Sequence, residues 1–438
     1  MKACTHLGFF LSKLPLAGCV LTGSLFATVS LNAQTVWTGT TSNAWNVGSN
    51  WSPSTVPGNT VEAQLGAAAN TSPITVATGA SQPKAIRFLS SIANDVTVQL
   101  ASGSTGASSW RLIAAGAVGA GVFVDSGTAH NATIDLNGGT ILFGQGATNG
   151  AKYVSITNNG TGTLTLSSGN LDMTATTSSS AVTMNLSFDG TGSVNVSSSM
   201  GQQSGSTGAQ TYNIKQAGTG TTTLSGANTY NGTTAVSAGK LFVNGTHDGG
   251  AAYTVSGTGL LGGSGAITTA NNAGITVSAG ARLSAGAENS VGTLTMNLGT
   301  GSFNVSAALA GDSASLLFDL GAVGSSDKVL LGTGTTLNIG TNVLNFGDFV
   351  FTTTTGFGSG VYTLFESSTT IAGTLLSGQL SGTIDGLDAV LSLSGDSQSI
   401  LLTVTAIPEP ANVALLFGGV CGACVIGGRR RRRHRIIA

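Results

Sequence analysis

The chain has 438 residues, of which 66 are glycine, 8% are charged and 6% are aromatic. Its formal net charge is −1, but residues 34–407 hold sixteen acidic and eight basic side chains, a net charge of −8. This mildly acidic stretch, called the body below, argues against a nucleic-acid partner, because phosphate binding needs clustered cations. All four cysteines lie outside the body, which therefore has neither a disulfide nor thiolate chemistry. They are Cys4, Cys19, Cys421 and Cys424.

Residues 1–33 have the pattern of a secretory signal peptide. A weakly basic start precedes an apolar run that ends in small residues, so we predict that signal peptidase cleaves between Ala33 and Gln34. An alternative lies within this run, where the Leu-Ala-Gly-Cys segment ending at Cys19 resembles the lipobox of a lipoprotein.

Residues 34–157 are predicted to be a β-rich region that includes a capping coil. The region opens with three of the four tryptophans, Trp37, Trp45 and Trp51. Exposed indole rings there could stack on sugar rings. We favour the other interpretation, in which bulky aromatic side chains plug the open end of a first coil against solvent and edge pairing.

Residues 158–291 alternate polar and apolar side chains and repeat a glycine motif. Gly-Thr-Gly recurs at intervals of 30, 28 and 39 residues, beginning at Gly160, Gly190, Gly218 and Gly257. Two-residue alternation is typical of strands, and a period of this order is typical of units that bury their apolar faces only by stacking on a neighbour. We therefore predict an all-β body folded as a right-handed parallel β-helix, with one or two coils per repeat and glycines at corners that need positive φ.

The clearest repeat runs from Gly218 to Gly245. Its Leu-Ser-Gly-Ala-Asn-Thr-Tyr segment and its later Gly-Lys-Leu strand closely resemble the autotransporter-associated β-strand repeat. The resemblance implies a passenger-like β-helix. We expect four apolar side chains of this unit to point into the core: Leu224, Val236, Leu241 and Val243.

The chain ends in a β-rich cap, predicted over residues 292–406, and a three-part tail at 407–438. In the tail, Pro408-Glu409-Pro410 precedes residues 411–428, which carry no charge. Eighteen helical residues span about 27 Å, close to the apolar thickness of a bilayer, so we predict a single transmembrane helix. The arginines that follow should remain cytoplasmic and leave the body outside the inner membrane. The alternative is a buried core helix with a solvated basic end.

This ending resembles the PEP-CTERM sorting signal of Gram-negative bacteria. The resemblance implies that an exosortase, a membrane transpeptidase, processes the chain near the Pro-Glu-Pro motif, and that the product reaches the cell surface or an extracellular matrix with exopolysaccharide. The residues concerned are Pro408, Glu409 and Pro410 for sorting, and Arg429, Arg430, Arg431, Arg432, Arg433 and Arg435 for topology. Since an apolar segment occupies the C-terminal position, we expect no translocator domain of the autotransporter kind.

The body shows no convincing catalytic, cofactor or metal motif. His130 and His247 have no spacing that would build a metal site or a base, and we expect both in loops. Four further segments read as turns or chance matches: Gly311-Asp312-Ser313, Gly395-Asp396-Ser397, Gly257 to Gly262, and Gly262 to Gly265. The acidic residues are scattered, with Asp385 and Asp388 the densest pair. We predict a protein that is not an enzyme and needs no cofactor; the alternative is a carbohydrate-binding or polysaccharide-degrading β-helix protein.

Overall fold

A computed structural model describes residues 34–69, 73–79, 82–102, 110–112, 120–143, 150–172, 182–201, 210–287, 290–309 and 313–406. All of these residues belong to one compact unit. The predicted signal peptide, the sorting motif, the membrane span and the arginine cluster lie outside the described residues. Within the described ranges, no helix has the length and apolar character needed to cross a membrane.

Short strands make up most of the described chain. The first ten are β1 Gln34–Trp37, β2 Trp51–Ser52, β3 Glu62–Leu65, β4 Ile74–Val76, β5 Ala85–Phe88, β6 Val96–Leu100, β7 Trp110–Arg111, β8 Ala120–Val124, β9 Ala132–Asp135 and β10 Thr140–Leu142. The next fifteen are β11 Gly150–Asn158, β12 Leu164–Ser167, β13 Asn170–Asp172, β14 Val182–Gly190, β15 Val194–Val196, β16 Ser199–Gly201, β17 Gln210–Gln216, β18 Thr221–Leu224, β19 Ala227–Asn228, β20 Thr234–Val236, β21 Lys240–Val243, β22 Thr246–Gly250, β23 Tyr253–Val255, β24 Leu260–Gly262 and β25 Ala266–Thr269. The last thirteen are β26 Ile275–Val277, β27 Arg282–Ser284, β28 Thr293–Asn297, β29 Ser302–Asn304, β30 Leu316–Leu320, β31 Lys328–Leu331, β32 Thr336–Leu344, β33 Phe349–Thr353, β34 Gly360–Glu366, β35 Ala372–Leu375, β36 Ser381–Ile384, β37 Leu387–Leu393 and β38 Ser399–Thr405. Two 3₁₀-helices cover Gly48–Asn50 and Phe346–Asp348.

The strands form four sheets, each built from strands that are distant in sequence. Sheet A has fourteen strands in the order β2-β1-β3-β5-β8-β11-β14-β17-β20-β23-β26-β29-β32-β35. Sheet B has eleven strands in the order β33-β30-β27-β24-β21-β18-β15-β12-β9-β6-β4. Sheet C is β16-β13-β10-β7, and sheet D is β19-β22-β25-β28-β31-β34-β38-β37-β36. The N–H of Thr229 donates to the carbonyl of Met200 at 2.7 Å, so sheet D continues the face that sheet C begins.

From β5 to β34 the chain visits sheet A, then B, then C or D, and each such circuit is one coil of a solenoid. The ladders between successive coils are parallel and in register, as where Val182 lies opposite Gln210 and Thr234 opposite Tyr253. These pairings confirm the prediction of an all-β parallel solenoid. The right-handed sense remains a prediction.

Coil length explains the uneven spacing of the glycine motif. Between β14 and β17 one coil takes 28 residues, as in the pairing of Val182 with Gln210, which equals the second sequence interval. The 39-residue interval from Gly218 to Gly257 contains two short coils, because Thr221 pairs with Lys240 and Lys240 with Leu260.

The corner glycines are needed for close approach as well as for backbone conformation. Gly190 has a φ of 91°, as the prediction required. Gly218 does not have positive φ; instead, a Cβ atom there would lie 2.3 Å from the carbonyl oxygen of Gly190 in the coil before it. The prediction that corner glycines are needed for positive φ is therefore corrected at Gly218. There, contact between successive coils excludes a side chain.

A continuous apolar core fills the inside of the coils. On β14, for example, every second side chain is buried, because successive side chains of a strand point to opposite faces. The four predicted core residues are all fully buried, which confirms them: Leu224, Val236, Leu241 and Val243.

The tryptophans fill the core of the first coils. Trp37, Trp45 and Trp51 are 1%, 0% and 1% exposed. Trp51 contacts Trp37 and Trp45 edge to face, with ring centroids 5.0 and 4.7 Å apart, and Trp110 lies 5.1 Å from Trp45 in the same manner. Sugar stacking on Trp37, Trp45 and Trp51 is therefore corrected: mutual packing leaves none of these rings an open face.

The ladders continue across both predicted boundaries inside the body, at residues 157 and 291. β11 pairs on both sides with parallel strands, and so does β28. Antiparallel pairs occur at both ends of the described body: β1 pairs with β2 at the first, and at the last β38 pairs with β34 and with β37, and β37 with β36. A reversal of strand direction ends the parallel stacking on sheet D, and the extent of the cap over residues 292–406 stays a prediction.

Candidate functional site: a repeat coil with a buried polar core

The repeat that the sequence singled out forms parts of two successive short coils. β17, β18 and β19 make one coil, and β20, β21 and β22 make the next, paired in register on sheets A, B and D. These coils bury several polar side chains, among them Gln216, Asn228 and His247. Because water is excluded there, each polar group needs a partner within the protein.

Asn228 joins three coils through its side chain. It is fully buried on β19, and its Oδ1 accepts the N–H of Met200 at 3.0 Å. Its Nδ2 donates to the carbonyls of Gly226 at 3.0 Å and Thr246 at 3.2 Å. An asparagine amide is the side chain that offers one acceptor and two donors at this spacing. The asparagine of the Asn-Thr-Tyr segment therefore ties sheet C to sheet D.

Tyr230, from the same segment, begins a buried chain of hydrogen bonds at the corner between sheets D and A. Its hydroxyl lies 3.0 Å from that of Thr234 and 3.2 Å from that of Tyr253. Nε2 of His247 donates to the carbonyl oxygen of Tyr230 at 2.8 Å. Because a carbonyl can only accept, neutral His247 carries its proton on Nε2, and its Nδ1 accepts from the hydroxyl of Tyr253.

The ring of His247 is also packed tightly. It stacks on the ring of Tyr230, with centroids 3.7 Å apart and an interplanar angle of 18°. Gly250 makes room for it, because a Cβ atom there would lie 2.1 Å from the His247 ring, and the register of β22 shifts between Asp248 and Gly250. The prediction that His247 is a loop residue is therefore wrong: it is a fully buried strand residue.

Burial keeps this network uncharged at neutral pH. Burial lowers the pKa of His247 to about 4. Burial raises the pKa of Tyr230 to about 12 and that of Tyr253 well above its usual value. No solvent-exposed group belongs to the chain from Thr234 to His247, so its chemistry is structural: it fixes the alignment of neighbouring coils.

The other residues considered from sequence are not brought together. His130 lies in a bend, where its Nδ1 is 3.7 Å from a carboxylate oxygen of Asp95. Asp396 accepts hydrogen bonds from the hydroxyl of Ser394 and from the N–H of Gln398, which confirms a turn. Gly311 and Asp312 lie outside the described residues. Asp388 is exposed on β37, and Asp385 accepts from the hydroxyl of Thr353.

One acidic pair was not anticipated. Asp327 is buried and accepts the N–H groups of Gly292 at 2.7 Å and Asp319 at 2.8 Å. Burial raises its pKa to about 7, and the nearby charge of Asp319 acts in the same direction. The two residues are eight apart around a turn, so no sequence motif marks them. Among the described residues, no group of three or more His, Cys, Asp or Glu side chains is placed to hold a metal ion.

Comparison with known families locates the repeat independently. Residues 214–241 match the Passenger-associated-transport-repeat, PATR. No curated protein and no solved structure matches the chain. The match begins in β17, includes Asn228 and Tyr230, and ends in β21. The chain thus contains a parallel β-solenoid with a PATR repeat, which is compatible with a secreted or surface protein of autotransporter type.

Proposed function

We propose that this chain is a non-enzymatic structural or adhesive protein of the cell surface or extracellular matrix. In this proposal, signal peptidase removes residues 1–33, and residues 411–428 hold the body at the inner membrane. An exosortase-type transpeptidase then processes the chain near Pro408, Glu409 and Pro410. Exopolysaccharide or biofilm matrix is the proposed surrounding.

The PATR segment is the observation that supports the proposal most. It continues the solenoid in register on both sides, so that it acts as one link in a long, stiff body. A solenoid of this kind gains stability from contacts between neighbouring coils and presents long outer faces. These are properties that suit a surface scaffold, and the two ends of the sequence carry patterns typical of export.

Fractionation of cells and mass spectrometry of the mature C-terminus test the proposal. We expect the intact chain in the inner membrane and a product lacking residues beyond the Pro408 region at the surface or in the medium. Joint replacement of Arg429 to Arg433 by glutamate should disturb topology or retention, because these cations hold the C-terminus inside the cell.

His130→Ala is the matched control, since this half-exposed side chain has no role in the proposed signal. It should leave localisation unchanged. A chain truncated after Ala406 that reached the same surface location with the same retention would refute the sorting role of the tail.

A further inference from the structure

The outer face of sheet A carries a pocket of about 570 Å³ across β8, β11, β14 and β17. Its floor is three rows of outward side chains, fixed by the parallel register. The first row is Tyr153, Asn185 and Asn213; the second is Ser155, Ser187 and Lys215; the third brings Phe123 and Asp189 to the pocket, with Thr157 between them in the ladder but outside the lining. Gly121 stands opposite Ser155 and adds no side chain, which leaves space between the two aromatic residues.

Two aromatic rings form one side of the pocket. Tyr153 is 52% exposed, although large apolar rings are usually covered. Phe123 is held in place from its other side by Arg87, whose guanidinium carbon lies 4.9 Å from the ring centroid. Arg87 is itself fixed by Glu62 at 2.6 Å and Asp125 at 2.8 Å. The ring of Phe123 is therefore preorganised.

Polar side chains form the opposite side of the pocket. Nδ2 of Asn213 donates to Oδ1 of Asn185 at 3.0 Å, and Nδ2 of Asn185 donates to the carbonyl of Lys152 at 3.2 Å. Each amide nitrogen has a second N–H, which makes no bond among the described residues. Lys215 is exposed and has no ion pair within the described part of the chain. This side offers several hydrogen-bond donors.

Asp189 supplies the acceptors. Its carboxylate receives the hydroxyl protons of Ser155 at 2.7 Å and Ser187 at 2.9 Å, one on each oxygen. The hydroxyl of Thr157 lies 2.7 Å from that of Ser155 and completes the support. Each carboxylate oxygen keeps a further lone pair, so the group is oriented but not saturated.

We propose that this pocket binds a polysaccharide chain lying along the solenoid axis. Sugar rings present an apolar face, which suits Tyr153, and neighbouring hydroxyls, which need donors and acceptors side by side. Parallel strands are about 4.8 Å apart, close to the length of one sugar unit in an extended glycan, so one unit lies over each strand. This proposal rests on the proposed location of the protein at the cell surface, where polysaccharide chains occur.

Other polymers fit this surface less well. The body has a net charge of −8, which disfavours a nucleic acid. A peptide cannot add here as a strand, because β11, β14 and β17 each have a hydrogen-bonded neighbour on both sides.

Affinity electrophoresis of the purified full-length chain tests the site, with hydroxyethyl cellulose, dextran, xylan and polygalacturonate as probes. We expect at least one polymer to retard the wild-type chain. Tyr153→Ala and Asp189→Asn should each weaken that retardation about tenfold, since both remove a central contact. The controls are Val361→Ala and Asp388→Asn, which truncate an exposed apolar side chain and neutralise an exposed aspartate on sheet D.

The proposal is overturned if none of the four polymers retards the wild-type chain, if Tyr153→Ala binds like wild type, or if the controls lose binding equally. Digestion of intact cells with protease tests the surface location separately, so that failure of the pocket and failure of the proposed function can be told apart. A surface-exposed chain that binds no polymer refutes the pocket alone. A chain that binds in vitro but remains inside the cell refutes the surface function alone.

Discussion

Replacing Asn228 with alanine should destabilise the repeat coil by about 3 to 4 kcal/mol. The substitution removes the three hydrogen bonds of a buried amide, to Met200, Gly226 and Thr246, of 3.0, 3.0 and 3.2 Å. Each contributes about 1 kcal/mol net, and the N–H of Met200 is then left buried without an acceptor, at a cost of about 1 kcal/mol more.

Amide hydrogen exchange is the suitable assay, because a solenoid can open locally without unfolding as a whole. The amide to follow is Thr229, whose N–H donates to the carbonyl of Met200 at 2.7 Å and makes no bond to Asn228 itself. A loss of about 3 kcal/mol makes its exchange roughly a hundredfold faster.

Asn244→Ala is the matched control, since this partly exposed asparagine accepts one N–H, from Ser264 at 3.2 Å. It should change the exchange of Thr229 by less than about threefold. Equal effects of the two substitutions would show that Asn228 does not join the coils as argued.

Three further predictions concern the core. Leu241→Asp should cost about 4 kcal/mol or more in urea unfolding, because it buries an unpaired charge, whereas Leu241→Met should cost less than about 1.5 kcal/mol; similar costs would remove Leu241 from the core. His247, whose pKa is lowered to about 4, stabilises the fold fully above pH 6.5 and loses that contribution, about 3 kcal/mol, as pH falls toward 4. Asp327, whose pKa is raised to about 7, has the opposite pH dependence. Its contribution to the stability of the fold is present below pH 3.8 and is lost as pH rises to 7. Because the pKa of His247 is lowered in the fold, His247→Gln should be less stable than wild type at pH 7, by a difference that shrinks toward pH 4. A difference that stayed constant with pH would show that the pKa of His247 is not lowered by folding. Finally, acrylamide should quench the tryptophan emission of the native chain only weakly, and strong quenching would contradict the burial of Trp37, Trp45, Trp51 and Trp110.

Local pattern was enough to identify the body as all-β, and the repeat resemblance added the parallel β-helix. Alternation such as that of β14 indicates which side chains face inward, and the recurring glycine motif marks where successive coils turn or touch. For the same reason the core positions Leu224 and Leu241 were predicted correctly. The repeat resemblance also located the segment in which Asn228 and Tyr230 lie.

The roles of individual polar residues could not be read from the sequence. His247 has no motif around it, and only the stacking of coils places it against Tyr230 and Tyr253. Coil length was hidden as well, because a 39-residue glycine interval fits one long coil or two short ones equally. The rows of the sheet A pocket join residues about thirty positions apart, such as Tyr153 and Asn185.

The sequence by itself therefore determined that the body repeats, which side chains of alternating strands such as β14 face inward, and the patterns typical of export at both ends. The tertiary structure decided which outward side chains become neighbours. The physical reason is that neighbours across a parallel ladder are set by coil length, and coil length depends on how each loop closes, which strand alternation does not record. A register shift of one residue would exchange Asn185, which faces the pocket, for Leu186, which fills the core.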